Sequence, residues 1–185
     1  MSGEKLRTFI AIVLSKQVED SLANFQEVLK KSNADVKWVK PENIHLTLIF
    51  LGDTDYALIP KIVESLENVR SKKLTLTCFN LGGFPDLKKP HNLWLGIKET
   101  KEIIRLQEEI AKAFRKSKIQ LDNSKKFLPH ITFARFKKPK NLVWVGKKFS
   151  KTEFPKFKVK EIVLFESDLT ANGPKHQIIK KFPLP

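Results

Sequence analysis

The chain has 185 residues, with 35 Lys or Arg against 20 Asp or Glu and a formal net charge of +15. Its 41% hydrophobic and 30% charged residues are a globular composition, and the length fits one domain of ordinary size or two small lobes sharing a core. No apolar run reaches the roughly 18–20 residues of a membrane span, residues 1–7 lack the apolar stretch of a signal peptide, and one cysteine, Cys78, can form neither an intrachain disulfide nor a Cys-rich zinc site. We therefore expect a cytoplasmic protein held together by its hydrophobic core. Thirty of the basic residues are Lys; with abundant Glu, one Cys and one Met, this is the bias of thermophile proteins. The positive excess favours polyanions, nucleic acid first.

In chain order, residues 8–14 form a continuous apolar run and predict a buried strand. Ser15 suits a helix N-cap. Val18, Leu22, Phe25 and Leu29 then trace one helix face ending near Lys31. Residues 35–40 read as a short extended segment stopped by Pro41. Residues 44–51 predict a strong strand closed by Gly52 and Asp53. A helix follows over 57–69, with Ile59, Ile62, Val63, Leu66 and Val69 apolar. Residues 74–79 alternate as a strand, and residues 82–85 (GGFP) read as a turn.

The pattern then restarts. Residues 92–97 predict a strand, and 101–116 a helix with Ile103, Leu106, Ile110 and Phe114 apolar. Residues 120–127 read as a basic loop and 129–136 as a strand. Residues 157–165 and 176–182 predict closing strands. Turns fall at 139–140 and 172–174.

Superposing the halves at an offset of 85 residues aligns Phe9 with Trp94, Val18 with Ile103, Phe25 with Ile110 and Leu29 with Phe114. His45 then falls on His130, and Thr47 on Thr132. An internal duplication explains these matches, with units of about 7–52 and 92–137 in one bilobal domain spanning 1–185. Two such units about a pseudo-two-fold axis bring the motif strands face to face and predict an α+β fold with a central cleft.

Residues i and i+2 of a strand share a face. His45 and Thr47 therefore point together, with Leu46 and Leu48 turned to the core; His130 and Thr132 do the same, with Ile131 and Phe133 behind them. Two imidazoles near their usual pKa of about 6.5 form an acid–base pair at neutral pH. Two hydroxyls donate to phosphate oxygens. Arg135 lies three residues beyond Thr132 and would leave that face unless a bulge or strand end re-aims it. The set suits phosphodiester chemistry without a metal or other cofactor: the motif strands carry no nearby carboxylate, and catalytic zinc usually takes three protein ligands. Cys78 has no nucleophile context, and no serine sits in a nucleophile turn. His91 reads as a surface loop residue, whereas His176 opens the last strand, with a place at the cleft the less favoured of its readings.

The paired His-x-Thr-x motifs resemble those of the two-histidine phosphoesterases. Residues 7–11 (RTFIA), 38–52 (WVKPENIHLTLIFLG), 83–85 (GFP), 93–96 (LWLG), 129–135 (PHITFAR), 164–169 (LFESDL) and 173–174 (GP) are similar to the LigT-like branch, the RNA 2',3'-cyclic phosphodiesterases also called 2'-5' RNA ligases. The resemblance implies a two-lobed α+β fold and metal-independent hydrolysis of 2',3'-cyclic phosphate RNA ends, those of tRNA fragments included, to 2'-phosphates by a monomer. It implies His45 as proton donor to the 3'-oxygen, His130 as the base that activates water, and Thr47, Thr132 and Arg135 as phosphate-binding groups. Reversal gives 2'-5' ligation. The same groups also fit a cyclic phosphate on ADP-ribose, a 2'-5' oligoadenylate, or a non-catalytic RNA- or nucleotide-binding module. Where the branch commonly carries Tyr after the late Gly-Pro, this chain has Lys175 and His176; Trp38, Phe84 or Phe127 are the alternatives for stacking a base.

Overall fold

The computed structural model describes residues 4–30, 36–121, 126–138, 140–152, 154–171 and 173–185. Its elements are β1 (Lys5–Val13), α1 (Lys16–Lys30), β2 (Val36–Trp38), β3 (His45–Asp55), α2 (Ile59–Glu67), β4 (Leu74–Phe84), β5 (Asn92–Ile97), α3 (Thr100–Lys116), β6 (His130–Phe136), α4 (Val143–Phe149), β7 (Lys156–Val159), β8 (Glu161–Thr170) and β9 (Gly173–Pro183). The sequence expectations at Lys31, Asp35, Pro139, Asn172 and within the 120–127 loop at 122–125 fall outside the described residues.

The strands form one antiparallel sheet in the order β7-β4-β5-β6-β3-β1-β8-β9, with β2 added beside β6. The expected lobes are the two halves of this sheet, β6-β5-β4-β7 and β3-β1-β8-β9. They join where Leu46 of β3 pairs with Ile131 of β6. The helices cover one face. Leu46, Leu48, Ile131 and Phe133 are buried there with Val18, Leu22 and Phe25 of α1, Ile62 and Leu66 of α2, and Ile103, Leu106, Ile110 and Phe114 of α3. Phe25 meets Phe133 edge-on, with ring centroids 5.4 Å apart. Truncating a fully buried core leucine such as Leu46 to Ala costs about 2–5 kcal/mol. On the opposite face Phe9, Ala11, Val163 and Phe165 form a small second apolar cluster.

Four sequence expectations need correction. Ser15 sits at the start of α1, where its carbonyl accepts from Val18 and Glu19, but its buried hydroxyl caps nothing. Strand β3 does not close at Gly52; Gly52 takes φ +70° at a register shift against β1, and pairing resumes to Asp55. Gly82, Gly83 and Phe84 are strand and not turn. A Cβ on Gly82 would lie 2.1 Å from the Trp94 ring, so this glycine makes room for an indole. The apolar run at 157–165 is broken at Lys160, where the chain passes from β7, paired to β4, to β8, paired to β1. Helix α4 has no counterpart in the sequence pattern. It spans seven residues with one fully buried apolar side chain, Val145, and Gly146 packs close to Leu87.

Candidate active site

Both motif strands carry the same irregularity. Along β1, Ile10 pairs with Ile49 but Ala11 pairs with Thr47, so Leu48 is an extra residue in β3. Along β5, Leu93 pairs with Ala134 but Trp94 pairs with Thr132, so Phe133 is the extra residue in β6. Burial records the same break in alternation, with Leu48 and Ile49 both buried, then Phe133 and Ala134. A β-bulge of this kind shifts the face of every later residue by one. It therefore returns position i+5 to the face of the His and Thr. In β6 that residue is Arg135; in β3 it is Phe50. The bulge is tied down where Val39 donates to the Phe133 carbonyl over 3.0 Å.

The delivered side chains line a cleft of about 470 Å³, within the usual range for small-molecule sites. His45, Thr47, His130, Thr132 and Arg135 all line it. The structure thus brings together all five predicted site residues. Arg7, Lys37 and Lys40 line it as well, with Trp38, Phe50, Leu169 and His176. His91 is exposed outside it. Of the stacking candidates, Trp38 lines the cleft, Phe84 lies edge-on to His130 at 4.9 Å, and Phe127 packs against the core.

Each motif histidine is anchored alike. His45 Nδ1–H donates to the carbonyl of Asn43 over 2.8 Å, and His130 Nδ1–H to the carbonyl of Leu128 over 2.7 Å. A carbonyl can only accept, so the proton sits on Nδ1 and each neutral ring turns a bare Nε2 outward. Aromatic neighbours fix the ring planes. Phe9 stacks on His45 at 4.8 Å and on Phe165 at 5.1 Å. In the other half Trp94, the residue aligned with Phe9, lies 6.0 Å from His130.

This apolar packing decides the electrostatics. Burial, followed by the positive charge available to His176, pushes the His45 pKa down to about 4; the hydrogen bond to Asn43 opposes the shift. Burial also lowers His130, against the hydrogen bond to Leu128. Cys78 is buried away from the site, and burial pushes its thiol up to about 12. Among the described residues no group of three or more His, Cys, Asp or Glu side chains is placed to hold a metal ion.

Sequence reasoning missed Phe50 and Asn43, along with the basic residues Arg7, Lys37 and Lys40. Phe50 is 63% exposed and carries the signal of two consecutive apolar residues, Leu48 and Ile49, ahead of it. Asn43 carries no local signal: its Nδ2 donates to the carbonyl of Pro174, 131 residues away, over 2.8 Å.

The chain is similar to known proteins along nearly its whole length. A sequence model of the 2'-5' RNA ligase superfamily matches residues 18–171. An RNA 2',3'-cyclic phosphodiesterase of Aquifex aeolicus is 32% identical over 186 residues, covering 97% of each chain. One of Thermotoga maritima is also 32% identical, over 94% of this chain and 93% of its own. Among solved structures, a protein of Thermus thermophilus superposes with a TM-score of 0.80 at 24% identity, covering 97% of this chain and 98% of its own. E. coli LigT complexed with 3'-AMP gives 0.78 at 22% identity, covering 98% and 99%. At these identities the two structures speak for the fold alone.

Proposed function

The chain belongs to the 2'-5' RNA ligase superfamily, and from that premise we propose that it hydrolyses RNA 2',3'-cyclic phosphate ends to 2'-phosphates. The observation that carries the reading is the pair of carbonyl-anchored imidazoles, each with its threonine, on two directly joined strands of one cleft. The relatives named for this activity match along nearly the whole chain.

In the proposed reaction the cyclic phosphate sits between the motifs. Thr47, Thr132 and Arg135 donate to its non-bridging oxygens and hold the charge that develops there. His130 Nε2 takes a proton from water, whose oxygen bonds to phosphorus. The phosphorus–O3' bond breaks, and His45 Nε2–H gives its proton to O3'. The product is a 2'-phosphate beside a free 3'-hydroxyl. The low pKa of His45, about 4, makes its imidazolium a strong proton donor. The substrate's negative charge, arriving next to His45, raises its pKa and protonates it where it is needed. With a 5'-hydroxyl in place of water, the same groups form a 2'-5' linkage.

The remaining surface fits RNA. Arg7, Lys37 and Lys40 line the cleft and suit phosphates upstream of the reacting end, so affinity should fall with added salt. Phe50 offers an exposed ring for the terminal base. The cleft is built from one chain, so a monomer suffices. Among the described residues no helix is long and apolar enough to cross a membrane; the composition fits cytoplasmic action on RNA fragments, those of tRNA included.

The direct test is turnover of a cyclic-phosphate oligonucleotide by His45→Ala and His130→Ala. Each should lose about a hundredfold to ten-thousandfold in kcat, the usual worth of a general acid or base, while the circular dichroism spectrum is kept. Unchanged turnover in both would refute the reading.

A further inference from the structure

The cleft holds a third imidazole that the two motifs do not account for. His176 is on β9, opposite Ser167 of β8. Its ring stands edge-on to His45 at 5.3 Å and edge-on to Phe9 at 4.9 Å, and it lines the same cleft. Its strand is fixed from the motif side: the Asn43 that anchors His45 through its carbonyl also holds Pro174 through its side chain. One residue thus ties together the segments that carry the two rings.

The tautomer of His176 differs from that of the motif histidines. Its Nδ1 is buried and meets no hydrogen-bond partner. A proton there would be an orphaned donor, which costs more than an idle acceptor lone pair. The proton therefore belongs on Nε2, the other ring nitrogen. Burial, then the nearby Arg135 charge, lowers the His176 pKa, so the neutral ring persists at neutral pH. His45 and His130 present bare nitrogens outward; His176 presents an N–H.

We propose that His176 is a further substrate-binding residue, donating from Nε2–H to a phosphate oxygen held between His45 and Arg135. This rests on the reaction proposed above for its substrate but not for its test. A donor is what a phosphate oxygen needs, and a neutral donor adds no cation against the charge His45 must acquire.

The experiment is titration of the protein with inorganic phosphate at pH 7.5, followed by NMR, in His176→Phe and His176→Gln. Phe keeps the ring packed on Phe9 and His45 but removes the donor; Gln places an amide N–H near Nε2. We expect the dissociation constant to rise about tenfold or more in His176→Phe, as for loss of one hydrogen bond to a charged group, and to stay within about threefold in His176→Gln. Melting temperatures confirm that each variant is folded. Equal phosphate affinity in the unaltered protein and His176→Phe overturns the proposal, as does equal loss in both variants. Loss confined to His176→Phe in a protein that turns over no cyclic phosphate would overturn the reaction and leave this inference standing.

Discussion

Leu46 and Ile131 face one another across the join between β3 and β6, and they are also equivalent positions of the two His-x-Thr motifs, 85 residues apart in sequence. A residue that pairs with its own counterpart lies on the two-fold axis. The histidine before each is then brought symmetrically to the other face of the sheet. Continuing the antiparallel register by one residue places His45 beside Thr132, and Thr47 beside His130. The four polar groups form a compact set because the two motifs pair at equivalent positions. The symmetry ends one bulge later, where Arg135 is matched by Phe50. That divergence sets an arginine in one half against an exposed phenyl ring in the other.

The protonation states make a prediction about pH. The proposed reaction needs a free protein with a charged His45, held down to about 4, and a neutral His130, also lowered from its ordinary value. Activity per free enzyme is lost below the acid limb as His130 protonates or above the alkaline limb as His45 discharges, and the limbs belong to the coupled pair. The kcat/KM optimum should therefore lie on the acid side of pH 6.5. Bound phosphate raises both values, so the kcat optimum should lie higher than that of kcat/KM. Steady-state rates from pH 4 to 9 test this; a kcat/KM optimum above 6.5 contradicts it.

Arg135 reaches the cleft only because Phe133 is an extra residue in β6. Arg135→Ala should weaken binding of inorganic phosphate and raise KM by about tenfold to a hundredfold, the range for a hydrogen bond to a charged group. Arg135→Lys should recover part of this, since it restores the charge without the planar fork. Phosphate titrations and steady-state rates for the two variants settle it.

Phe50 should act on the base and leave phosphate binding alone. Phe50→Ala removes an exposed ring, so the melting temperature should barely change. KM for a short cyclic-phosphate oligonucleotide should rise about fivefold or more, as for loss of one stacked base. The inorganic phosphate affinity should be unaltered. A change in phosphate affinity would place Phe50 elsewhere in the mechanism.

Gly82 links core packing to His130. Adding a methyl group there forces the Trp94 indole, 2.1 Å away, to move, and Trp94 lies against Phe84 and His130. Gly82→Ala should cost about 1–3 kcal/mol in chemical denaturation, the usual penalty of overpacking. It should also lower kcat, because the ring supporting the base shifts with it.

How much the sequence disclosed depended on the range of the interaction. The motif pairs and the helix faces of α1 and α3 were legible because periodicity and spacing are local properties. The return of Arg135 to the cleft was foreseeable only as a condition, and the doubled burial at Leu48–Ile49 and Phe133–Ala134 fulfils it. The Gly82–Gly83 pair was misread because glycine marks a turn and a close approach equally well. Helix α4 escaped because seven residues are too few to show a period. The Asn43–Pro174 bond and the approach of His176 to His45 depend on tertiary contacts 131 residues apart in each case, which no local pattern carries.

The most direct test of the central claim is phosphorus NMR of an RNA oligonucleotide ending in a 2',3'-cyclic phosphate, incubated with the protein in EDTA. The account predicts conversion to the 2'-phosphate alone, at a rate that EDTA does not change. A 3'-phosphate product, or no conversion, would contradict it.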